Sequence, residues 1–202
     1  EINWYCPGNS CINNDEYWGV WFSRLERLLK ESPADAVMID EIQFFGPQLC
    51  GCVSCRTKFK ADTGFELPPN GKLKGWNTRQ PEAFRRWRAW RIEKILARQA
   101  ECRKLLKSLN SEAVFSGYLC NILTGYTYYA FGTYILNLRH YVDSVGLESM
   151  PNGLRYPEYY PLVMLELKLL RSVAEHTGNA PWVLFYAQDN FSDIAASFCA
   201  FA

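Results

Sequence analysis

Three cysteines fall within one short stretch, Cys50-Gly51-Cys52-Val53-Ser54-Cys55, a C-x-C-x-x-C run. Thiols so close in sequence cannot easily form separate disulfides, but as thiolates they can wrap one ion. Zinc takes four such ligands in a tetrahedron, so the fourth must come from elsewhere. Cys11 and Cys6, both in the opening loop, are the candidates. Cys102 falls on the apolar face of a predicted helix, and Cys120 and Cys199 read as small buried hydrophobes. A closed four-thiolate site leaves no open position for substrate or water, so the expected role of the zinc is structural. It would pin a loop at about residues 46–60.

A second group of residues is acidic. Asp40-Glu41 ends a short apolar run, and Glu148 stands near the end of a later one. Two carboxyl groups facing one another across a cleft are what glycoside hydrolysis requires. One, protonated, assists the leaving oxygen; the other, ionised, attacks the anomeric carbon or activates water. That chemistry needs neither histidine nor cofactor. The chain has two histidines, His140 and His176, each near the end of a predicted helix, where an imidazole commonly faces the last carbonyls. A histidine-based triad or a multi-histidine metal site is therefore not expected.

The elements that must position these groups can be read from periodicity. Asn14 or Asp15 can cap a helix whose apolar residues Trp18, Trp21, Phe22, Leu25, Leu28 and Leu29 recur at three and four, until Ser32-Pro33 stops it. Residues 36–39 form a short continuous apolar run, read as a strand buried on both faces. A short helical stretch near 56–60 follows the cysteine loop, and a long helix spans about 81–108. Further strands are predicted at 113–118, 144–150 and 182–186, with a short helix at 136–142, a longer one at about 157–176 closed by Gly178, and another starting at Ser192-Asp193. Strand and helix alternate with links long enough for right-handed crossovers, which predicts α/β architecture with a parallel sheet. Four strands with helices between them make about half of a (β/α)8 barrel; a complete open sheet of four or five strands is the other architecture the pattern allows.

Composition narrows the function further. The chain has 202 residues, 49% of them apolar and 21% charged, as expected of one globular domain or part of a larger one. Lysine plus arginine number 22 against 21 acidic residues, a net charge of +1. That balance gives no footprint for nucleic acid and no polybasic membrane anchor. The arginines of the long helix, interspersed with glutamates, read as a solvated surface. No apolar run is long enough to span a membrane. Residue 1 is Glu rather than Met, so the native start is expected to lie elsewhere.

The stretch Val37-Met38-Ile39-Asp40-Glu41-Ile42-Gln43-Phe44-Phe45, followed by Cys50-x-Cys52-x-x-Cys55-Arg56-x-x-Phe59, resembles bacterial TIM-barrel glycoside hydrolases related to the family 42 β-galactosidases. In that family the acid on strand four is followed nine residues later by a C-x-C-x-x-C zinc loop, and here 50 − 41 is also nine. The family's earlier zinc cysteine is matched by Cys11, which precedes Tyr17 as in the family motif, better than by Cys6-Pro7. Gly64-Phe65-Glu66-Leu67-Pro68 is similar too, so the resemblance covers about residues 11–68 and is architectural beyond.

The resemblance implies a partial (β/α)8 barrel, strands four to seven, forming one domain over 1–202, with Glu41 as general acid/base and zinc on Cys11, Cys50, Cys52 and Cys55. Two departures matter. The family has Asn before the acid where this chain has Asp40, and its strand-seven nucleophile has no counterpart, since residues 182–189 contain no Glu. β-Galactosidase specificity therefore does not carry over. Other barrel hydrolases pair an Asp nucleophile on strand four with an acid on strand six, an arrangement that Asp40 and Glu148 would fit, and the choice between the two assignments stays open. Phe44, Tyr118, Asn121 and Tyr186, near predicted strand ends, are the candidates to stack on or hydrogen-bond a sugar. The expected protein is a hydrolase fragment with a carbohydrate as its partner; self-association is left open for the full-length protein. A non-catalytic carbohydrate-binding or scaffolding barrel is the alternative. A reduced thiolate site favours a cytoplasmic setting, with secretion left open.

Overall fold

The computed structural model describes residues 11–40, 42–44, 50–70, 72–119, 132–133, 135–138, 140–149, 160–178 and 180–185. Cys6, Glu41, Asn121, Tyr186 and the helix expected from Ser192 lie outside the described residues.

The chain begins with α1 (Asp15–Glu31), β1 (Ala36–Met38), α2 (Val53–Thr63), α3 (Trp76–Arg79) and α4 (Pro81–Leu109). β2 (Val114–Leu119), α5 (Ile135–Leu138), β3 (Ser144–Ser149), α6 (Tyr160–Thr177) and β4 (Ala180–Phe185) follow. Local chemistry sets the ends. Asn14 caps α1, its side-chain oxygen accepting from the N–H of Glu16 at 3.1 Å and of Tyr17 at 3.2 Å, while Asp15 and Glu16 put negative charge at the positive end of the helix. Pro81 starts α4, where its missing N–H costs nothing. Gly64 and Gly178 end α2 and α6 with φ of 77° and 72°, a conformation that side chains resist.

The four strands are all parallel and lie in sequence order, β1-β2-β3-β4. Right-handed crossovers between strands taken in that order carry every helix to one face of the sheet. A doubly wound sheet, by contrast, reverses its order to cover both. Accordingly α4 packs on β2, and α6 on β3 and β4. Phe115, Leu119, Val145 and Leu147 fill the core beneath them. Gly117 shares that face: a Cβ there would press on Leu138 and Val142. The alternate residues, Met38, Ser116, Tyr118, Ser144, Gly146 and Trp182, occupy the opposite face by strand alternation.

An aromatic cluster joins α2 and α3 to α4. Phe59 meets Trp90 edge-on at 5.3 Å, and Trp76 meets Trp87 at 5.8 Å. Trp90 finds its polar partner in Asp62 at 2.7 Å. No helix among the described residues is long and apolar enough to cross a membrane.

Three expectations need correction. β1 is not buried on both faces: Ala36 and Met38 are exposed and Val37 is half-buried, because β1 is an outer strand of the described sheet. β4 starts at Ala180, ahead of Pro181, since a proline is tolerated in an outer strand where no partner needs its N–H. And Arg91, on the arginine-rich α4, is buried at 1% exposure rather than solvated.

Candidate metal centre and sheet-end carboxylates

Cys11 precedes α1, Cys50 and Cys52 lead into α2, and Cys55 lies in the first turn of α2. The chain thus brings together thiols that stand 39 and 44 residues apart. All four sulfurs lie within 4.8 Å of one another, and they could hold a metal ion. Cys11 Sγ is 3.3 Å from Cys55 Sγ and 3.9 Å from Cys50 Sγ. A tetrahedron with metal–sulfur bonds of about 2.3 Å has sulfur–sulfur edges of about 3.8 Å, so the set is the right size for one ion. Cys11, Cys50 and Cys55 are fully buried and Cys52 half-buried. The neighbouring thiols Cys11, Cys50 and Cys52, together with burial, push the ionisation of Cys55 far above its ordinary range. Metal binding by such a cluster would require the thiols to lose their protons to the cation.

N–H donors surround the sulfurs. The Asn13 side-chain amide donates to Cys55 Sγ at 3.2 Å, the Asn13 backbone N–H to Cys11 Sγ at 3.4 Å, and the Cys52 N–H to Cys50 Sγ at 3.4 Å. Such bonds offset thiolate charge and fix the direction of each lone pair. Asn13 is 2% exposed, and the sequence reading missed it. The available signal was a second asparagine beside the helix cap, two residues from a candidate ligand.

The loops are held from outside as well. Arg98 on α4 donates to the Ile12 carbonyl at 2.9 Å and to Asp15 at 2.7 Å, and Lys58 of α2 reaches the same carboxylate at 2.6 Å. Lys58 and then Arg98 hold the Asp15 carboxyl below the usual range. Gly51 donates its N–H to Asn70 at 2.5 Å, and a Cβ at Gly51 would collide with the backbone of residues 68–70. The cysteine loop and the proline-rich segment therefore approach closely only because residue 51 is glycine.

Asp40 is exposed, two residues beyond the end of β1. Glu148 is the fifth residue of β3, its Cα paired with that of Leu184. Because the sheet is parallel, the two share its carboxyl end, with β2 between their strands. Among the other expected site residues, Phe44 is buried at 3% exposure, with the Arg91 guanidinium 4.5 Å above its ring and Trp87 4.7 Å from the same cation. Tyr118 is buried on the helix-free face of β2 and stacks on Trp182, with centroids 5.7 Å apart and planes 19° from parallel. A basic cavity of about 430 Å³, lined by Arg103, Lys104, Lys107, His140 and Tyr141, lies before β3, at the opposite end of the sheet from the carboxylates.

No family model matches the chain, and no curated protein matches it by sequence. Among solved structures, it is similar to the glycoside hydrolase domain of PgaB (BpsB) from Bordetella bronchiseptica, with a TM-score of 0.64 and 14% identity. The match covers 83% of this chain and 46% of that one, so the chain spans about half the length of its neighbour. At that identity the likeness is one of fold: the singly wound sheet and its helices follow the path of a glycoside hydrolase domain.

Proposed function

We propose that this protein is a glycoside hydrolase, its described part forming roughly strands four to seven of a (β/α)8 barrel and its cysteine tetrad holding a structural zinc ion. The observation that carries the reading is the placing of Asp40 and Glu148 at the carboxyl end of a singly wound parallel sheet, the end at which such folds bind ligands. A sheet with helices on one face buries its other face by closing on itself, which supports the barrel. The fold likeness to a glycoside hydrolase domain supports the reaction class. Two interstrand steps, about 9.6 Å, and a two-residue offset along the strand, about 6.6 Å, put the backbones of Asp40 and Glu148 roughly 12 Å apart, a spacing compatible with the roughly 5–9.5 Å between carboxyl groups that glycoside hydrolysis uses. Either Glu41 is the general acid/base, as the family resemblance implies, with its nucleophile outside residues 182–189, or Asp40 is the nucleophile and Glu148 the acid. Tyr118, and beyond the described residues Asn121 and Tyr186, would bind the sugar.

Zinc suits an all-sulfur tetrahedral set, supplies no redox chemistry and would tie the loop after β1 to the start of α1. In the full-length protein, Glu41→Gln should lower hydrolysis by roughly 10²- to 10⁴-fold if Glu41 transfers the proton. Unchanged turnover removes it from that role. The same measurement on Asp40→Asn and Glu148→Gln decides between the two assignments, and the anomer first released reports retention or inversion. The absence of Glu from residues 182–189 favours a second reading, a carbohydrate-binding barrel without turnover. Sugar binding that survives loss of all three carboxylates, with no hydrolysis in the parent, would select it.

A further inference from the structure

The basic cavity at the amino end of the sheet has no part in the hydrolase reading. One wall is a stripe of α4: Ala100, Arg103, Lys104, Lys107 and Ser108 recur at three and four and so share a face of the helix. The other wall is the turn that carries Tyr141 towards β3. Small side chains at 100 and 108 leave room, and the long cations between them supply the charge. The volume of about 430 Å³ is that of a small-molecule site, for which about 300–1,000 Å³ is usual. The cavity adjoins β2 and β3, the two inner strands of the described sheet, so strands added beyond β1 or β4 to close a barrel leave it open.

Three cations meet one carboxylate here. Asp143 accepts from Arg103 Nε at 3.0 Å and Nη2 at 2.7 Å, and Lys107 Nζ stands 3.2 Å from its other oxygen. That carboxylate offsets one positive charge and holds two long side chains in place, so little of their freedom remains to be lost when an anion binds. Arg103 Nη1, the exposed Lys104 ammonium and the phenol of half-buried Tyr141 have no partner among the described residues. The helix dipole favours cations near a C-terminus, but its effect fades within the last turn of about 3.6 residues. Arg103 and Lys104 stand six and five residues before Leu109 (109 − 103 and 109 − 104), so the dipole does not account for them. With the rim imidazole of His140 neutral, three cations less one carboxylate leave two positive charges in excess. A phosphate monoester carries about −1.5 to −2 at pH 7 and offers several strong acceptor oxygens. We propose that this cavity binds the phosphate monoester of a small molecule, with Lys104, Arg103 Nη1 and the Tyr141 hydroxyl donating to the phosphoryl oxygens and the organic part resting on the Tyr141 ring and Ala100. The site lies at the opposite end of the sheet from Asp40 and Glu148 and stands independently of the hydrolase reading.

The test titrates the full-length protein calorimetrically at low salt, where charge contacts are least screened, with glucose 6-phosphate and with AMP. Inorganic phosphate, sulfate and glucose are the controls. At least one ester should bind more tightly than any control. Lys104→Gln should weaken that ester roughly tenfold and Tyr141→Phe several-fold, the losses expected of one charged and one neutral hydrogen bond. Both side chains reach the surface, so the variants should melt with the parent. A measurement on the unaltered protein removes dependence on either variant: the backbone amide resonances of residues 100–108 and 140–143 should shift on adding the ester, and those of Asp40 and Glu148 should stay still. Four outcomes overturn the site: neither ester binds, sulfate or free phosphate binds as tightly as the esters, Lys104→Gln leaves the affinity unchanged, or the shifts fall elsewhere. None of them bears on the hydrolase reading, which the carboxylate variants test.

Discussion

Asn13 shows how much a single side chain can matter to a site it does not ligate. Its amide donates to Cys55 Sγ at 3.2 Å in a pocket closed to water, where an N–H···S bond would offset part of the negative charge that four thiolates bring to the proposed ion. Asn13→Leu keeps the approximate volume and removes the donor. Metal affinity should fall by roughly 10- to 100-fold, read by competition between the protein and a chromophoric zinc chelator. An unchanged affinity would show that the amide packs without tuning the sulfurs. Arg91 is the corresponding case on α4: a guanidinium buried at 1% exposure between Phe44 and Trp87. Its planar cation suits two ring faces, which a lysine ammonium on a flexible stem does not. Arg91→Met should cost about 2 kcal/mol in denaturant unfolding, and Arg91→Lys should recover little of it. Full recovery by lysine would mean that charge alone, and not stacking, holds the loop after β1.

Among the elements, the join between α4, β2 and β3 runs through Asp143, in the turn before β3. Its carboxylate accepts from Arg103 at 2.7 Å and from Lys107 at 3.2 Å, both on α4, and from the Phe115 N–H of β2 at 3.0 Å. Burial pushes this carboxyl up, but Arg103, the Phe115 N–H and Lys107 outweigh it and hold it below its ordinary value. A carboxylate with a lowered folded value stabilises the fold fully above its unfolded value of about 3.9, and that contribution disappears as pH falls through the folded value. Asp143→Asn should therefore cost about 2 kcal/mol at pH 7 and progressively less below pH of about 4, checked by urea unfolding at both pH values. An equal loss at pH 3 and pH 7 would exclude the charge as the cause. Elements of this kind were readable in the sequence where the signal is local. The Asn14 cap, the Pro81 start and the Gly178 stop appear in the fold as periodicity and punctuation implied. What failed depends on neighbours that no local window contains. The exposure of β1 follows from its place at the side of the sheet, the extension of β4 through Pro181 from being an outer strand, and the burial of Arg91 from Phe44, 47 residues back in the chain (91 − 44), which covers the guanidinium beside Trp87.

For the molecule as a whole, the cysteine tetrad was legible from spacing because three of its members lie within six residues, and the fourth followed from a motif rather than from any contact visible in sequence. Its consequence for stability is global. The tetrad joins the start of α1 to the loop before α2, and α2 carries Phe59, fully buried, into the aromatic cluster on α4. An ion bound only by the folded chain adds its binding free energy to folding, about 4 kcal/mol when free metal exceeds the dissociation constant a thousandfold. For a domain of this size each kcal/mol moves the melting temperature by roughly 2–4 °C. Stripping the proposed zinc with a strong chelator under reducing conditions should therefore lower melting by roughly 8–16 °C, with recovery on adding zinc back. The loss should start locally: amide exchange should rise first in α1, α2 and the loop between Cys50 and Cys55, while β2 and β3, held by Val145, Leu147 and Phe115, open last. A metal-free protein that melts at the same temperature, with protection in α2 intact, would show that the aromatic cluster alone secures this end of the fold and that the four thiols are packed side chains rather than ligands.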